Sequence, residues 1–200
     1  MMGDQRLITI SGVAGAGKDT VVGMAMPRLL MFGIGWAPSV TTRDPRTSDG
    51  PGTMIFLSRD EFLTELASGG MMEHTTVTGN LYGTPVGALG AGPHGGIKII
   101  TVDGLRSIRA WMVGAGMDPS GHLMSVYITV PVGDAHSRLA RRGWTPEVIA
   151  ERDSFNLQGY DHSGVPDDEG HIWSLMVDNP DGGLDDAVQT MVRAVRDFLR

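Results

Sequence analysis

The fold is decided by residues 7–20, which read LITISGVAGAGKDT. Leu7–Ser11 is a short apolar and β-branched run, which is typical of a buried strand. Residues 12–17 hold three glycines and predict a turn, and after it we expect a helix from about Lys18 to Met31. A strand, a glycine-rich turn and a helix in this order are typical of α/β folds.

The turn matches the phosphate-binding pattern G-x-x-x-x-G-K. Glycine lets the backbone curl so that successive N–H groups point at phosphate oxygens, and the following helix N-terminus adds partial positive charge. A lysine at this spacing reaches the β- and γ-phosphates of a nucleotide. An incidental flexible turn is the alternative. We expect the following residues to bind the phosphates of ATP: Gly12, Ala14, Gly15, Ala16, Gly17, Lys18, Asp19 and Thr20.

The residue after the lysine departs from this pattern, which normally has Ser or Thr there to help hold Mg²⁺. Here Asp19 takes that position and Thr20 follows. A triphosphate repels a nearby carboxylate unless a cation lies between them, so Asp19 is a candidate ligand for Mg²⁺ or its waters. An outward-facing acid in the first turn of a helix, where negative charge is favoured, is the alternative.

Three further strand-like runs follow, at Ile97–Val102, Leu123–Val130 and Trp173–Val177. Each precedes a helical segment, and the last helix is expected over Leu184–Leu199. Strands that alternate with helices predict a mainly parallel sheet covered by helices on both faces. The sequence therefore predicts an α/β fold.

Composition excludes several classes of protein. The formal net charge of −7 argues against non-specific binding to nucleic acid. The longest apolar run, Leu29–Ala37, is too short to cross a bilayer, and no apolar signal segment precedes the first strand. There is no cysteine for a disulfide or a thiolate metal site. We expect a cytoplasmic protein with neither a nucleic-acid nor a membrane partner.

All but two of the 16 basic residues, Lys18 and Lys98, are arginines. This excess reflects either coding bias or a need to hold phosphates with a bidentate guanidinium group. Arg43 and Arg46 lie three residues apart after a probable strand. On a turn, such a pair can close on one phosphate from two sides.

Several motifs along the chain resemble those of the guanylate kinase family. They are SGVAGAGKDT (11–20), SVTTRDPR (39–46), TMIFLSRDEF (53–62), MEHTTVTGNLYGTP (72–85) and the lid pattern RLARRG (138–143). The resemblance spans about residues 7–155, and the motifs together are far more specific than the phosphate loop alone. This family consists of P-loop nucleoside monophosphate kinases.

The resemblance implies a P-loop kinase core with two insertions. We expect a single domain over residues 1–200. Its core would cover residues 1–36, 92–130 and 172–200, its acceptor-binding insertion residues 37–91, and its lid residues 131–171. The acceptor-binding insertion is expected to contain short strands and one helix, Arg59–Ala67, and Gly159–Gly170 is expected to be a loop.

The same resemblance implies an activity and a set of site residues. It implies transfer of a phosphate from ATP to GMP and/or dGMP with Mg²⁺ as cofactor, by a monomer or homodimer. Three residues would bind the 5′-phosphate of the acceptor: Arg43, Arg46 and Tyr82. Four would surround its base: Ser39, Glu73, Thr84 and Asp103. The catalytic residues would be Lys18, Arg138, Arg142 and Arg152, with Arg141 a weaker candidate than its neighbour Arg142.

Glu73 has a chemical reason to select guanine. The guanine edge carries N1–H and N2–H₂ donors, and an ionised carboxylate only accepts. Adenine has an unprotonated N1 there, and a desolvated mismatch of this kind is heavily penalised. Without the neighbouring GNLYGT motif, Glu73 would be interpreted as a solvated acid at a strand edge.

Three residues depart from the family pattern. Met54 stands where a phosphate-binding tyrosine is expected, Thr101 replaces an acidic residue two positions before Asp103, and Asp19 replaces the P-loop Ser or Thr. A modified deoxynucleotide or a ribose bisphosphate therefore remains an alternative acceptor. A non-catalytic guanylate-kinase-like interaction domain is a further alternative, although such domains tend to lose the P-loop that this chain keeps.

Overall fold

The computed structural model of the protein describes residues 5–47, 49–157 and 172–200, without the side chains of residues 152 and 154–157. The described strands are β1 (Arg6–Ser11), β2 (Ile34–Trp36), β3 (Ser39–Thr41), β4 (Met54–Phe56), β5 (Met71–Val77), β6 (Asn80–Pro85), β7 (Gly95–Ile99), β8 (Leu123–Thr129) and β9 (Leu175–Asp178). The described α-helices are α1 (Lys18–Met31), α2 (Arg59–Ala67), α3 (Val102–Gly114), α4 (Pro119–His122), α5 (Val132–Arg141), α6 (Pro146–Leu157) and α7 (Leu184–Phe198).

The strands form two sheets. One has the order β2-β7-β1-β8-β9, in which β2 pairs in parallel with β7 and β8 pairs in parallel with β9. The other has the order β4-β3-β6-β5 and combines a parallel pair with antiparallel pairs. The α/β class with a parallel sheet, predicted from the sequence, is therefore confirmed.

The chain divides into two compact units. The first contains residues up to Thr9 and Leu29–Leu123, and so includes the whole four-stranded sheet. That sheet closes over a small core of its own, in which Phe62 of α2 is fully buried. A capping box begins α2: the Ser58 hydroxyl accepts from the Glu61 backbone N–H, and the Glu61 carboxylate accepts from the Ser58 backbone N–H.

The second unit contains Ile10–Arg28 and the chain from Met124 onward. It includes the glycine-rich turn, most of α1, and the strands β8 and β9 with the helices that follow them. The buried face of α7 packs Ala187, Met191 and Val195 into this unit, at a spacing of about one helical turn. The helix predicted over Lys18–Met31 is confirmed at both ends.

The strand predicted over Ile97–Val102 is wrong at both ends, because β7 covers Gly95–Ile99. Helix α3 already begins at Val102, since the Thr101 side chain caps it by accepting from the Gly104 backbone N–H. β-Branched residues therefore continue past the strand into a helix start. The helix predicted over Arg59–Ala67 is confirmed.

Within the described ranges, no helix combines the length and apolar character that crossing a membrane requires.

Candidate active site

The phosphate loop lies between β1 and α1 and depends on its glycines. Gly15 and Gly17 have φ values of 82° and 86°, which side chains rarely adopt. A Cβ on Gly15 would lie 2.7 Å from the Ala135 carbonyl oxygen, and one on Gly17 would lie 2.6 Å from Nδ2 of Asn179. Both positions therefore require glycine for backbone conformation and for space.

The ammonium group of Lys18 lies against the backbone of the phosphate loop. Its Nζ donates to the carbonyl oxygens of Gly12 (2.8 Å) and Val13 (2.9 Å). Burial lowers the pKa of Lys18, and the charge of Arg142 lowers it further, while Asp19 acts in the opposite direction. The described part of the loop thus carries a desolvated ammonium group within reach of any phosphate bound there.

Asp19 and Thr20 lie in the first turn of α1, and both are exposed. Within the described residues, no group of three or more His, Cys, Asp or Glu side chains is placed to hold a metal ion. The role of Asp19 as a metal ligand therefore stays a prediction. Its exposed side chain leaves room for an ion to bind it.

Arg138 of α5 is bound to the loop. Its NH1 donates to the Gly15 carbonyl oxygen at 3.3 Å, and its NH2 donates to the Asn179 carbonyl oxygen at 2.8 Å. Its Nε pairs with the Asp181 carboxylate at 2.8 Å. The Arg138 guanidinium thus connects the loop to the segment that follows β9.

The other predicted lid arginines differ in their settings. Arg141 is exposed and pairs with Asp181 at 3.3 Å. Arg142 is the C-terminal cap residue of α5, and its charge acts on the pKa of Lys18. Arg152 is in α6, but its side chain is outside the described part of the structure, as is the loop predicted over Gly159–Gly170.

Asn179 is a loop contact that the sequence reasoning missed. It follows β9 directly, is 3% exposed, and donates from Nδ2 to the Ala16 carbonyl oxygen at 2.7 Å. Its Oδ1 is buried without a hydrogen-bond partner among the described residues. The signal in the sequence was its place, because polar residues after the carboxyl ends of parallel strands often bind ligands.

Arg43 in the first unit is held in a bidentate pair with Asp49. Its NH1 lies 2.9 Å from Asp49 Oδ2 and its NH2 lies 2.5 Å from Oδ1. The Arg43 guanidinium also lies over the ring of Phe56, at 5.5 Å from its centroid. The Arg43 guanidinium thus makes a bidentate pair typical of anion recognition, with Asp49 as the anion.

Asp49 also binds the next predicted phosphate ligand, because it accepts from the Arg46 backbone N–H at 2.7 Å. The hydrogen bonds from Arg43 and Arg46 lower the pKa of Asp49 to about 2. The same pair with Asp49, helped by the Tyr82 hydroxyl, raises the pKa of Arg43. Arg43 and Arg46 thus meet at Asp49, which the sequence reasoning had not identified, and Tyr82 interacts with Arg43.

Three of the four residues predicted around the base also come together. Glu73 of β5 and Thr84 of β6 are cross-strand partners, and the Thr84 hydroxyl donates to Glu73 Oε1 at 2.5 Å. Lys98 of β7 donates to the same Thr84 oxygen and, at 3.2 Å, to Ser39 Oγ of β3. Lys98 was noted in the sequence only as one of two lysines, without a role in the site.

Asp103 is not part of this group. Its side chain is 91% exposed in the first turn of α3, where it pairs with Arg106 at 3.2 Å. The predicted place of Asp103 beside the base therefore has no support in its contacts.

Comparison with known proteins identifies the family. The sequence model of guanylate kinase matches residues 4–142. A guanylate kinase from Ruegeria pomeroyi is 32% identical over 203 residues, which cover 98% of this chain and 89% of that protein. A guanylate kinase from Lactobacillus delbrueckii subsp. bulgaricus is 32% identical over 176 residues, which cover 80% of each chain.

A solved structure agrees with the fold. The crystal structure of guanylate kinase from Anaplasma phagocytophilum covers 96% of this chain and 85% of its own, with a TM-score of 0.61 and 19% identity. A lysine-bearing phosphate loop on an α/β sheet defines the class of P-loop phosphotransferases. Within that class, this chain belongs to the guanylate kinase family.

Proposed function

We propose that the protein transfers the γ-phosphate of ATP to a guanine mononucleotide, GMP and/or dGMP. The observation that carries the proposal is the set of side chains in the first unit that would bind the acceptor nucleotide, which includes Arg43, Glu73 and Thr84. It combines a flat arginine fork, which suits a phosphate, with a carboxylate held by Thr84, which suits a base edge rich in donors. The relatives named guanylate kinase support the same activity.

The acceptor phosphate is proposed to bind Arg43, Arg46 and Tyr82. Arg43 gives its NH1–NH2 edge to the Asp49 carboxylate, and its Nε–NH2 edge would donate to the phosphate. Asp49 then fixes the fork from one side while the phosphate binds from another. This leaves one acceptor oxygen free to attack the γ-phosphorus in line with the leaving oxygen.

The donor phosphates are proposed to bind the loop that carries Lys18. The Lys18 ammonium would exchange the neutral carbonyl oxygens of Gly12 and Val13 for charged phosphate oxygens, which form stronger hydrogen bonds with it. Arg138 and Arg142, with Arg152, are proposed to neutralise the charge that spreads over the transferring group.

Mg²⁺ fits the residues at the start of α1. This ion keeps several waters and needs only one or two protein oxygens besides phosphate oxygens. Asp19 and Thr20 supply an exposed carboxylate and an exposed hydroxyl immediately after the phosphate-binding lysine. When bound there, Mg²⁺ would offset phosphate charge, and Asp19 and Thr20 would hold it or its waters.

The guanine preference is proposed to rest on Glu73. Thr84 occupies one oxygen of the Glu73 carboxylate, so the second oxygen is available to accept from N1–H and N2–H₂ of guanine. Ser39 adds a second hydroxyl that accepts from Lys98. No contact among the described residues favours a ribose bisphosphate, and the intact lysine-bearing loop opposes a non-catalytic domain.

The test is an ADP-release assay over a panel of acceptors: GMP, dGMP, AMP, CMP, UMP and ribose 1,5-bisphosphate. We expect GMP, dGMP or both to give the highest kcat/KM. ADP release that is fastest with ribose 1,5-bisphosphate, or equal for all mononucleotides, would contradict the proposal. ADP release without any acceptor is the control for ATP hydrolysis.

The remaining expectations complete the proposal. They are a single domain with residues 37–91 as acceptor insertion and residues 131–171 as lid, a cytoplasmic location, and a monomer or homodimer. The acceptor and donor are small molecules, and the net charge of −7 opposes a nucleic-acid partner.

A further inference from the structure

Lys98 carries a buried charge in the cluster of side chains that it forms with Ser39, Glu73 and Thr84. It is 2% exposed, on a strand of the five-stranded sheet, and its ammonium donates to hydroxyls on two strands of the other sheet. A lysine buried to this extent is costly unless its charge is balanced and its donors are bonded. Both conditions are met within the first unit, by Glu73 and by the hydroxyls of Ser39 and Thr84.

The chemistry of an ammonium group fixes the direction of both hydroxyls. An ammonium has three donors and no lone pair, so each hydroxyl oxygen that it contacts must accept from it. Each hydroxyl hydrogen must therefore point away from Lys98. The Thr84 hydrogen goes to Glu73 Oε1 at 2.5 Å. The Ser39 hydrogen has no acceptor among the described residues, which leaves it available to a ligand.

We propose that Lys98 is the specificity-determining residue of the acceptor site: it makes Ser39 a donor and keeps Glu73 an acceptor, a pair that selects bases with a carbonyl beside an N–H. The proposal rests on the function proposed above and names its substrate class, the 6-oxopurine mononucleotides. Guanine presents its O6 acceptor beside N1–H, and hypoxanthine presents the same two groups. Adenine has them reversed, with an N6 donor beside an N1 acceptor.

Lys98 acts here through Ser39, Thr84 and Glu73 without contacting the base. Without the ammonium, the Ser39 hydroxyl could turn and accept from the amino group of adenine, because a hydroxyl rotates to suit its partner. The Thr84 hydroxyl could likewise turn away from Glu73. Loss of Lys98 should therefore reduce the preference for one base over another, beyond any general loss of activity.

The electrostatics of the pair agree with this arrangement. Burial lowers the pKa of Lys98 to about 8, while the charge of Glu73 raises it. The opposing effect of Glu73 shows that the two charges are close enough to interact. The carboxylate proposed to read the base thus has a cationic group close by.

The experiment measures kcat/KM for GMP, IMP and AMP with the wild type and four variants. In Lys98→Met and Lys98→Gln the ammonium is lost, and Gln adds an oxygen that can accept from Ser39. Ser39→Ala removes the proposed donor itself. Ile97→Val is the matched control, since this fully buried neighbour on β7 perturbs packing without touching the hydroxyls.

We expect wild type to use GMP best, IMP less well because it lacks the N2 amino group that Glu73 binds, and AMP far less well than either. The GMP to AMP ratio of kcat/KM should fall by at least about tenfold in both Lys98 variants, roughly the cost of one charge-assisted hydrogen bond. IMP should fall in step with GMP. Ser39→Ala should lower GMP and IMP by the same factor with little effect on AMP, and Ile97→Val should keep the wild-type ratio.

The outcomes separate this proposal from the proposed function. If wild type phosphorylates no guanine nucleotide, the function itself is wrong. If wild type prefers GMP but a folded Lys98 variant keeps its GMP to AMP ratio, the role of Lys98 is wrong while the proposed function stands; if Ser39→Ala keeps that ratio, Ser39 is not the donor. Ser39 is a small, partly exposed residue, so Ser39→Ala decides the donor question even if the Lys98 variants fail to fold.

Discussion

At the scale of single residues, the acceptor site works through the positions of a few protons. Lys98 donates to Thr84, and Thr84 donates to Glu73. The direction of the hydrogen bond that the carboxylate receives is therefore set by Lys98, acting through Thr84. One Glu73 oxygen is consumed by this chain of bonds and the other is available to the base. The two oxygens therefore differ in function although they are chemically equivalent.

The first prediction concerns Glu73→Gln. The variant keeps the size of the side chain but turns one carboxylate oxygen into an amide donor, so guanine would meet a misplaced donor. We expect kcat/KM for GMP to fall by a factor equivalent to about 2–3 kcal/mol, the cost of an unpaired buried polar group. AMP should lose little. Steady-state kinetics with both nucleotides on both proteins measure the effect, and an equal loss for GMP and AMP would show that Glu73 does not read the base.

The second prediction uses the titration of Lys98. Its pKa is lowered from an ordinary 10.5 to about 8, mainly by burial. Between these two values the unfolded chain binds more protons than the folded one, so stability from this residue rises with pH. The burial cost is fully present below pH 8. The difference in free energy of unfolding between wild type and Lys98→Met should shift in favour of wild type by about 3 kcal/mol as the pH rises from 8 to 10.5.

Urea unfolding of both proteins at several pH values from 7 to 10.5 measures this difference. Effects of other titrating groups cancel in the comparison, because both proteins share them. A difference that stays constant over the window would mean that the Lys98 side chain titrates at its ordinary pKa.

At the scale of elements, β4 carries Met54, one of the three residues that depart from the family pattern. Met54 pairs with Ser39 in the parallel β3–β4 register, and Phe56 of the same strand lies under the Arg43 guanidinium. Residues two apart on a strand share a face. The Met54 side chain is therefore expected on the same face of β4 as the ring that supports Arg43.

The third prediction is that Met54→Tyr lowers KM for the acceptor, because a phenolic hydroxyl would add a phosphate contact. One added hydrogen bond to a charged phosphate is worth roughly 1.5 kcal/mol, or about tenfold. Met54→Phe is the matched control, since it adds the ring without the hydroxyl. If the tyrosine variant leaves KM unchanged or raises it, the acceptor site is shaped for a different phosphate position.

The fourth prediction concerns the phosphate loop. Lys18→Ala should abolish turnover while the fold persists, because the lysine contacts only loop carbonyl oxygens in the described structure. The loss should correspond to at least about 3 kcal/mol of transition-state stabilisation. Kinetics and circular dichroism on the same preparations test this, and a folded variant with most of its kcat would contradict a role in transfer.

At the scale of the whole molecule, local signals predicted more than long-range ones. The helix Lys18–Met31 was predicted correctly because its glycine-rich start and apolar pattern are local. The end of β7 was not, because β-branched residues favour a strand while the Thr101 cap, a single hydrogen bond, begins a helix. A sequence pattern shows the run of β-branched residues but does not show that the Thr101 side chain caps a helix.

The candidate site shows the same division. The resemblance to guanylate kinases implied Ser39, Glu73, Thr84 and Asp103 as a group, and the structure places the first three together. Lys98 was missed because it has its role only through partners that the fold brings close. A lone lysine in an apolar strand carries no local pattern, and its partner Ser39 is 59 residues away.

The most direct measurement of the central claim is the transfer of label from γ-³²P-ATP to GMP. The account predicts that labelled GDP accumulates in step with ADP, with little labelled inorganic phosphate, and that AMP in place of GMP gives little labelled ADP. Labelled inorganic phosphate as the main product, or labelled ADP from AMP as fast as labelled GDP from GMP, would contradict it.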